Sequence, residues 1–474
     1  MTHPESSSPS TLNESSAVRP NQFLQGPFAP VGQEITVHDL KVTGTIPTEL
    51  NGRLLRVGPN PIDPENPATY NWFSGNGMVH GVRLREGRAE WYRNRFVRDD
   101  QVVASRGWPE VPGPRQAVPA PRYARNNHGN TNIFAQGGHT FAFMEGGSLP
   151  FELSYELETV ARSNFEGTLN GAWTGHPHRD PLTGELHGIA YRWDWSYARY
   201  LVLDAQGKIR KSVNIPLDGR PIIHDMALSR RYVVFHNGAV QAHAGLQAQG
   251  YDFPYAWDFD HRNAWGLLPR EGTSDQVVWC ETEPTAAFHL LGAFDLPDGR
   301  VAVDAISYDR LFHKDFTGPT EAPARLDRFV LDPSTGRSTL ERLDDTPSEM
   351  PRLDERLIGV DRHRYGYFSS RTKTAADATV SRLLKRDLDK GTSESYAYGP
   401  ARFGMEAVFV PRTPDSAEDD GWLMTYVSDL ADSCAEVVIL HAQDLSEPVA
   451  RVHIPQRVPL GFHGNWVPDE ELPS

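Results

Sequence analysis

The chain has 474 residues, and its 47 Lys and Arg against 62 Asp and Glu give a formal net charge of −15. This charge disfavours binding to nucleic acids or to anionic membranes, because both present negative phosphates. Two cysteines are too few for a disulfide framework or a cysteine-ligated metal site, and no apolar run approaches the roughly 18 residues of a spanning helix. We therefore expect a cytoplasmic protein without transmembrane segments.

The first 20 residues are rich in Ser, Thr and Pro, and they lack the basic start and apolar block of a signal peptide. We expect 1–20 to form a disordered tail. No linker divides the remainder, so we expect 21–474 to form a single domain.

Short runs of β-branched and aromatic residues alternate with turns along the rest of the chain. Two turns, at 180–184 and 332–336, repeat one Asp-Pro-x-Thr-Gly pattern that is typical of hairpins. We predict an all-β fold, and at this length a β-propeller is more economical than several sandwiches. The clearest predicted strands lie at 141–144, 200–203, 232–235, 301–303, 422–427 and 437–440.

Four of the 18 histidines stand next to turn residues in strand-like sequence: His176, His224, His289 and His463. Their wide spacing excludes a local metal motif. A propeller, however, brings the inner strands of all its blades to a central channel, so one ligand from each of four strands could converge there. Neutral imidazoles suit Fe(II), Cu or Zn.

The same region offers alternatives. His178 and Asp180, with His224, would satisfy a two-histidine, one-carboxylate iron triad, although Asp180 is also explained as the start of a turn. His176 and His178 could both be ligands, since residues two apart share one strand face. Pro177 between them suggests a strand end instead, and the residues alone do not choose between the two histidines.

Ordered motifs run from about Asn21 to Trp466. They include Leu-Asn-Gly-Arg-Leu-Leu-Arg-Val-Gly-Pro-Asn-Pro at 50–61, Trp-Phe-Ser-Gly-Asn-Gly-Met-Val-His at 72–80, His-Pro-x-x-Asp-Pro at 176–181, Glu-Met-Pro-Arg at 349–352 and Gly-Phe-His-Gly-Asn-Trp at 461–466. By these motifs the chain resembles the carotenoid cleavage oxygenase family, which also contains the retinoid isomerase of the visual cycle and stilbene-cleaving dioxygenases. The resemblance implies a seven-bladed β-propeller with an axial non-haem iron and a loop and helix cap over one face.

The resemblance also implies the site residues. It makes His176, His224, His289 and His463 the four ligands of one Fe(II), and it leaves His178 as a non-ligand. It places three glutamates behind the ligands, pairing Glu145 with His224, Glu349 with His289 and Glu406 with His463. A carboxylate that accepts the free ring N–H of a ligand histidine fixes the tautomer and raises the basicity of the ligand.

The implied reaction is scission of one C=C bond by O₂ into two carbonyl products. Pocket candidates are Thr131, Phe73, Phe288 and Met144. Met144 stands where stilbene-cleaving members carry a lysine, and an apolar side chain there favours a carotenoid or apocarotenoid over a phenolic stilbene. An isomerase that uses the same iron, and a non-enzymatic propeller that serves as a binding scaffold, remain alternatives.

An apolar substrate implies an apolar surface patch beside the tunnel mouth, with 102–118 and 251–265 as candidate stretches. Neither stretch reads as an amphipathic helix with a basic face. We therefore expect at most weak peripheral association with membranes. The oligomeric state is left open.

Overall fold

The computed structural model describes residues 21–115, 128–373 and 379–469. The expected tail at 1–20 lies outside them. Helices in this part of the chain are short: α1 (Asp100–Arg106), α2 (Ala244–Ala248) and 3₁₀ turns at Gln22–Leu24, Gly26–Phe28, Trp72–Ser74, Ser274–Gln276 and Glu355–Leu357. None of them has the length and apolarity to cross a bilayer.

Strands make up the rest of the regular structure, which confirms the all-β prediction. The first are β1 (Thr36–His38), β2 (Val42–Gly44), β3 (Gly52–Pro59), β4 (Gly77–Arg85), β5 (Arg88–Phe96), β6 (Asn132–Gln136), β7 (His139–Phe143), β8 (Phe151–Leu153), β9 (Thr159–Arg162), β10 (His178–Arg179), β11 (Leu186–Ala190), β12 (Tyr197–Leu203) and β13 (Ile209–Pro216). There follow β14 (Met226–Leu228), β15 (Tyr232–Asn237), β16 (Val240–Ala242), β17 (Tyr255–Trp257), β18 (Ala264–Pro269), β19 (Val278–Glu281), β20 (Ala286–Asp295), β21 (Val301–Tyr308), β22 (Arg325–Asp332) and β23 (Arg337–Asp344). The last are β24 (Glu349–Arg352), β25 (Tyr365–Lys373), β26 (Thr379–Asp387), β27 (Thr392–Ala397), β28 (Arg402–Gly404), β29 (Val408–Pro411), β30 (Gly421–Asp429), β31 (Cys434–His441), β32 (Ala450–Ile454) and β33 (Gly464–Pro468).

The strands form small sheets in a propeller-like arrangement. Within the described ranges, five sheets have four to six strands: β1-β5-β4-β3-β33, β6 to β9, β10 to β13, β24 to β27, and β2-β32-β31-β30-β28 with β29 also on β30. An eight-stranded sheet has the order β14-β15-β18-β19-β23-β22-β21-β20, and β16 and β17 form a ribbon. The halves of the eight-stranded sheet are joined through one parallel bridge, Glu281 with Arg337.

The two repeated turns both close hairpins, as predicted. Asp180 to Gly184 joins β10 to β11, and Asp332 to Gly336 joins β22 to β23. In each turn the glycine N–H donates to the aspartate carbonyl, at 2.8 Å and 2.9 Å. Gly184 and Gly336 have φ values of 72° and 67°, a left-handed conformation that glycine adopts without a Cβ clash.

The sheet that contains β3 combines strands from opposite ends of the described chain. β3 pairs antiparallel with β33, from Gly52 with Pro468 to Arg56 with Gly464. In the neighbouring sheet, β2 pairs with β32. The Tyr426 hydroxyl donates to the Leu54 carbonyl between these two sheets at 2.8 Å. This seam closes the ring of sheets.

In the described parts of the two stretches expected to form an apolar surface patch, most large apolar side chains pack inside the molecule, and Phe259, 58% exposed, is the exception, so no continuous patch forms there. Val102, Val103 and Val111 are buried, as are most large apolar side chains of 251–265; 116–118 lie outside the described residues. Trp108 is half-buried under the guanidinium of Arg98. The periodicity of these stretches did not show that loops would fold them inward.

Candidate metal centre

Four buried histidines from widely separated parts of the chain meet in one small volume. His176 precedes β10, His224 precedes β14, His289 lies in β20 and His463 precedes β33. One ring nitrogen of each lies within 4.8 Å of those of the other three, and the Nε2 atoms of His224 and His289 are 3.0 Å apart. Residues separated widely in the sequence thus present four nitrogens to one small volume.

Local backbone features aim these rings inward. The register of β20 against β21 shifts between Ala287 and Leu290, and such a bulge re-aims the side chain of His289. Gly464, next to His463, lies so close to β3 that an added Cβ would stand 2.2 Å from the Leu55 carbonyl oxygen. The His463 backbone N–H donates to the Thr131 carbonyl at 3.1 Å. Only glycine at 464 permits this approach.

Three carboxylates back three of the rings. The Nδ1–H of His224 donates to Glu145 Oε2 at 2.8 Å, that of His289 to Glu349 Oε2 at 2.6 Å, and that of His463 to Glu406 Oε1 at 2.8 Å. In each pair the two residues are 57 to 79 positions apart in the sequence. Because a carboxylate only accepts, the proton must sit on Nδ1, and the Nε2 lone pairs are left to face the common volume.

The carboxylates are held in turn by residues that sequence reasoning missed. The Tyr191 hydroxyl donates to Glu145 Oε2 at 2.6 Å, and the Tyr308 hydroxyl donates to Glu349 Oε1. Arg352 lies 3.1 Å from Glu406 Oε2. Arg352 stands in the Glu-Met-Pro-Arg motif and could have been noticed, whereas nothing in the sequence around the two tyrosines marks them.

The surroundings favour neutral His176 and charged Glu349 and Glu406, whereas the Glu349 carboxylate raises the pKa of His289 against the effect of burial. Burial, followed by the neighbouring histidines, holds the pKa of His176 well below its usual value. Burial alone would raise the pKa of Glu406, but the charge of Arg352 and the ring of His463 outweigh it and lower that pKa to about 2. Burial also opposes the ionisation of Glu349, yet His289 and Tyr308 lower its pKa.

The donor set fits a metal ion. His176 Nε2 is buried and has no hydrogen-bond partner among the described residues, which is costly for a polar atom unless something else binds it. Four nitrogen lone pairs directed at one volume repel one another without a cation between them. All-imidazole coordination suits Fe, Cu or Zn rather than the oxygen-seeking Ca²⁺ or Mg²⁺.

The alternative triad of His178, Asp180 and His224 is not assembled. His178 Nε2 lies 2.8 Å from Asp225 Oδ1. Asp180 begins its turn and forms an ion pair with Arg270. Asp225 also accepts the Leu290 N–H at 2.8 Å. Asp225 therefore connects the segments that carry His176, His224 and His289, a positioning role that sequence reasoning did not identify.

An apolar cavity of about 80 Å³ opens onto His224, His289 and His463. Phe73, Phe288 and Thr131, three of the sequence candidates, line it together with Trp72 and Phe462. The Phe288 ring stacks on His224 at a centroid distance of 3.9 Å, and the Phe73 ring lies 5.7 Å from that of Phe288. The cavity thus offers aromatic surface beside the candidate metal position.

Met144 does not line this cavity, contrary to expectation. It is 5% exposed, and its Sδ lies 3.2 Å from the backbone nitrogen of His128. A side chain at 144 therefore packs behind the wall rather than against a ligand. The argument from Met144 to an apolar substrate has no support in this geometry.

Comparisons with known proteins show the family to which the chain belongs. The family model described as "RPE65: Retinal pigment epithelial membrane protein" matches residues 28–468. The chain is 39% identical to a "Carotenoid cleavage oxygenase" of Mycobacterium tuberculosis, over 94% of this chain and 98% of that protein. It is 30% identical to "Carotenoid 9,10(9',10')-cleavage dioxygenase 1" of Pisum sativum, over 96% and 91% of the two chains.

Solved structures match over nearly the whole chain. The lignostilbene dioxygenase of Pseudomonas brassicacearum superposes with a TM-score of 0.83 at 28% identity, covering 94% of this chain and 98% of the other. Cobalt-substituted Synechocystis ACO, an apocarotenoid oxygenase, does so with a TM-score of 0.81 at 26% identity, covering 93% and 97%. Together the family match and the 39% relative show that this chain belongs to the carotenoid cleavage oxygenase family.

Proposed function

We propose that this protein is a non-haem Fe(II) dioxygenase that cleaves one C=C bond of a carotenoid or apocarotenoid. One alkene and one O₂ give two carbonyl products, so atoms and electrons balance without an external reductant. The observation that carries the proposal is the cluster of four buried imidazoles, three of them backed by carboxylates, at the inner end of an aromatic cavity. The names of the relatives in Mycobacterium tuberculosis and pea support the same reaction class.

We assign residues 21–474 to one catalytic domain built as a seven-bladed propeller. The eight-stranded sheet supports this count when its two four-stranded halves, which share one bridge, are taken as two blades beside the five smaller sheets. The cap consists of α2, the β16–β17 ribbon and the 3₁₀ turn Trp72–Ser74. The ribbon and the turn contribute Tyr255 and Phe73 to the largest apolar cluster of the described residues.

His176, His224, His289 and His463 would hold the iron, which when bound supplies the one-electron chemistry that O₂ needs to react with an alkene. The chain contributes position and environment. Glu145, Glu349 and Glu406 keep the ring protons on Nδ1. Phe73 and Phe288 exclude water from the inner end of the cavity and offer flat faces for a conjugated chain.

A stilbene or phenylpropanoid is the second candidate substrate, since the lignostilbene dioxygenase structure has a TM-score of 0.83. The experiment that separates the possibilities combines a metal assay with product analysis. We expect iron in the purified protein and, under ¹⁸O₂ with rapid trapping of the carbonyls, label in both products from a carotenoid or apocarotenal. His176→Ala serves as the inactive control.

Three results would count against the proposal. Protein without iron would favour a binding scaffold. An isomerised, unlabelled polyene would indicate an isomerase. Cleavage of a 4-hydroxystilbene much faster than of any carotenoid or apocarotenal would replace the proposed substrate with a stilbenoid.

A further inference from the structure

Among the described residues, Arg371 is the one arginine that lines the aromatic cavity. It lies in β25, two residues beyond Ser369, which pairs with Glu349 of β24. Cross-strand partners and residues two apart share one face of a sheet, so Arg371 continues the row of side chains that begins at Glu349. Arg371 is exposed, whereas Glu349 is half-buried. The row therefore runs from the histidines toward the cavity mouth.

The Arg371 guanidinium has no hydrogen bond or ion pair with another described residue. Its carbon stands 5.2 Å over the Phe28 ring, a contact that orients the group without using its N–H donors. The nearby carboxylate of Glu349 is already engaged by His289, Tyr308 and the Met350 N–H. Five donors are thus presented at the mouth without an acceptor among the described residues.

The rest of the outer wall is largely apolar. Trp72, Met405, Phe462 and Pro319 line the cavity beside Arg371. Desolvation by these surroundings lowers the pKa of Arg371, opposed by Tyr308 and Glu349, as expected for a cation in a concave opening. The cavity therefore has an aromatic interior and one cationic end.

We propose that Arg371 selects substrates whose apolar chain ends in a carboxylate, the class of an apocarotenoic acid. This inference rests on the proposed function and names the end group that the site recognises. A carboxylate accepts two parallel N–H bonds from a guanidinium, an aldehyde offers one neutral acceptor, and a hydrocarbon offers none. The expected order of preference is acid, then aldehyde, then hydrocarbon.

The test compares β-apo-8'-carotenoic acid with β-apo-8'-carotenal, which share one polyene chain. We expect Arg371→Gln to lower the ratio of kcat/KM for the acid over that for the aldehyde by roughly 10- to 100-fold, the range for a charge-assisted hydrogen bond. Arg371→Lys should recover part of the ratio. Arg310→Gln is the matched control, because Arg310 stands 5.0 Å over the Phe259 ring but does not line the cavity.

An unchanged ratio in Arg371→Gln would overturn the inference, even if both substrates are cleaved and the proposed function stands. Calorimetry with decanoate and decanol gives a readout independent of turnover. Decanoate should bind wild type more tightly, and the difference should vanish in Arg371→Gln. If that difference is seen but no polyene is cleaved, the proposed function fails and the carboxylate site stands; equal binding of decanoate and decanol to wild type overturns the site.

Discussion

Replacing Glu406 with glutamine tests how the carboxylates hold the histidines. Glu406 receives three donors: the Nδ1–H of His463 at 2.8 Å, the Gly464 N–H at 2.8 Å and Arg352 at 3.1 Å. One of its oxygens faces His463, and the other faces the remaining two. A glutamine amide group must therefore point its NH₂ at a donor in either orientation. We expect Glu406→Gln to disturb the site in geometry as well as in charge.

The magnitude follows from burial. The side chains of Glu406 and Arg352 are 3% and 12% exposed, and breaking a buried ion pair costs about 3–5 kcal/mol. Arg352 keeps its contacts to Glu355 and Asn465, so we expect the lower end of that range. Metal affinity should fall by about 10- to 100-fold, the usual size of the effect when the partner of a ligand histidine is lost.

The three glutamates differ in the hydrogen bonds that a glutamine would lose. Glu145 accepts both of its donors, Tyr191 and His224, on Oε2 alone. Glutamine at 145 can keep its carbonyl there and turn its NH₂ toward the cavity, so it loses charge but no hydrogen bond. At Glu349 the NH₂ would face the Tyr308 hydroxyl, which can rotate to accept. Losses should increase from Glu145→Gln through Glu349→Gln to Glu406→Gln.

The assay is iron content of the purified variants and chelator competition for metal affinity, with urea unfolding as the stability measure. Glu355→Gln is the control, because Glu355 also pairs with Arg352 but is 42% exposed and is not paired with any of the four histidines. Equal metal affinity in all three glutamate variants would refute the donor argument. Loss of metal in Glu355→Gln as large as in Glu406→Gln would show that Arg352, rather than the histidine contact, controls the site.

Three further predictions concern other parts of the centre. Alanine at any of the four clustered histidines should abolish iron retention and activity. Metal analysis of His178→Ala, His187→Ala and His236→Ala should find iron still bound. An iron-free His178 variant with an iron-loaded His176 variant would make His178, rather than His176, the ligand. In Asp225→Asn, the amide NH₂ must point either at the Leu290 N–H or at His178 and the Met226 N–H. The free energy of unfolding in urea should therefore fall by about 1–3 kcal/mol. An unchanged unfolding midpoint would contradict the positioning role. Phe288→Ala removes the ring stacked on His224 and should cost about 3–5 kcal/mol of stability and raise KM for a polyene; an unchanged KM would remove Phe288 from the binding surface.

The sequence predicts strands and turns well because both depend on local chemistry. The six strand-like runs fall in β7, β12, β15, β21, β30 and β31, apart from Met144, which lies one residue beyond β7. The histidines could be named because each stands in a recognisable motif. Tyr191, Tyr308 and Asp225 could not, since their importance comes from contacts with residues 41 to 65 positions away.

The errors have the same origin. Met144 was placed in the pocket because stilbene-cleaving members carry a lysine at the position directly before Glu145. In this structure Met144 packs against the backbone of His128 and is not among the residues that line the cavity. The apolar stretches at 102–118 and 251–265 were expected on the surface because composition does not show which loops fold over a ring end. Arg371 has no sequence signal, since only the fold brings it to the cavity.

The seam between β3 and β33 ties the candidate metal centre to the closure of the ring. His463 directly precedes β33, so the fourth nitrogen donor is in place only when that strand is docked. The Arg56 guanidinium and the Pro459 carbonyl, which meet beside the seam, are 403 residues apart, and contacts that distant carry a large loop-closure cost. A metal ion that binds only the closed ring stabilises closure by mass action. The ion would then stabilise the closed ring of sheets in addition to its role in the reaction. Without the ion, we expect the ring of sheets to open first between β3 and β33.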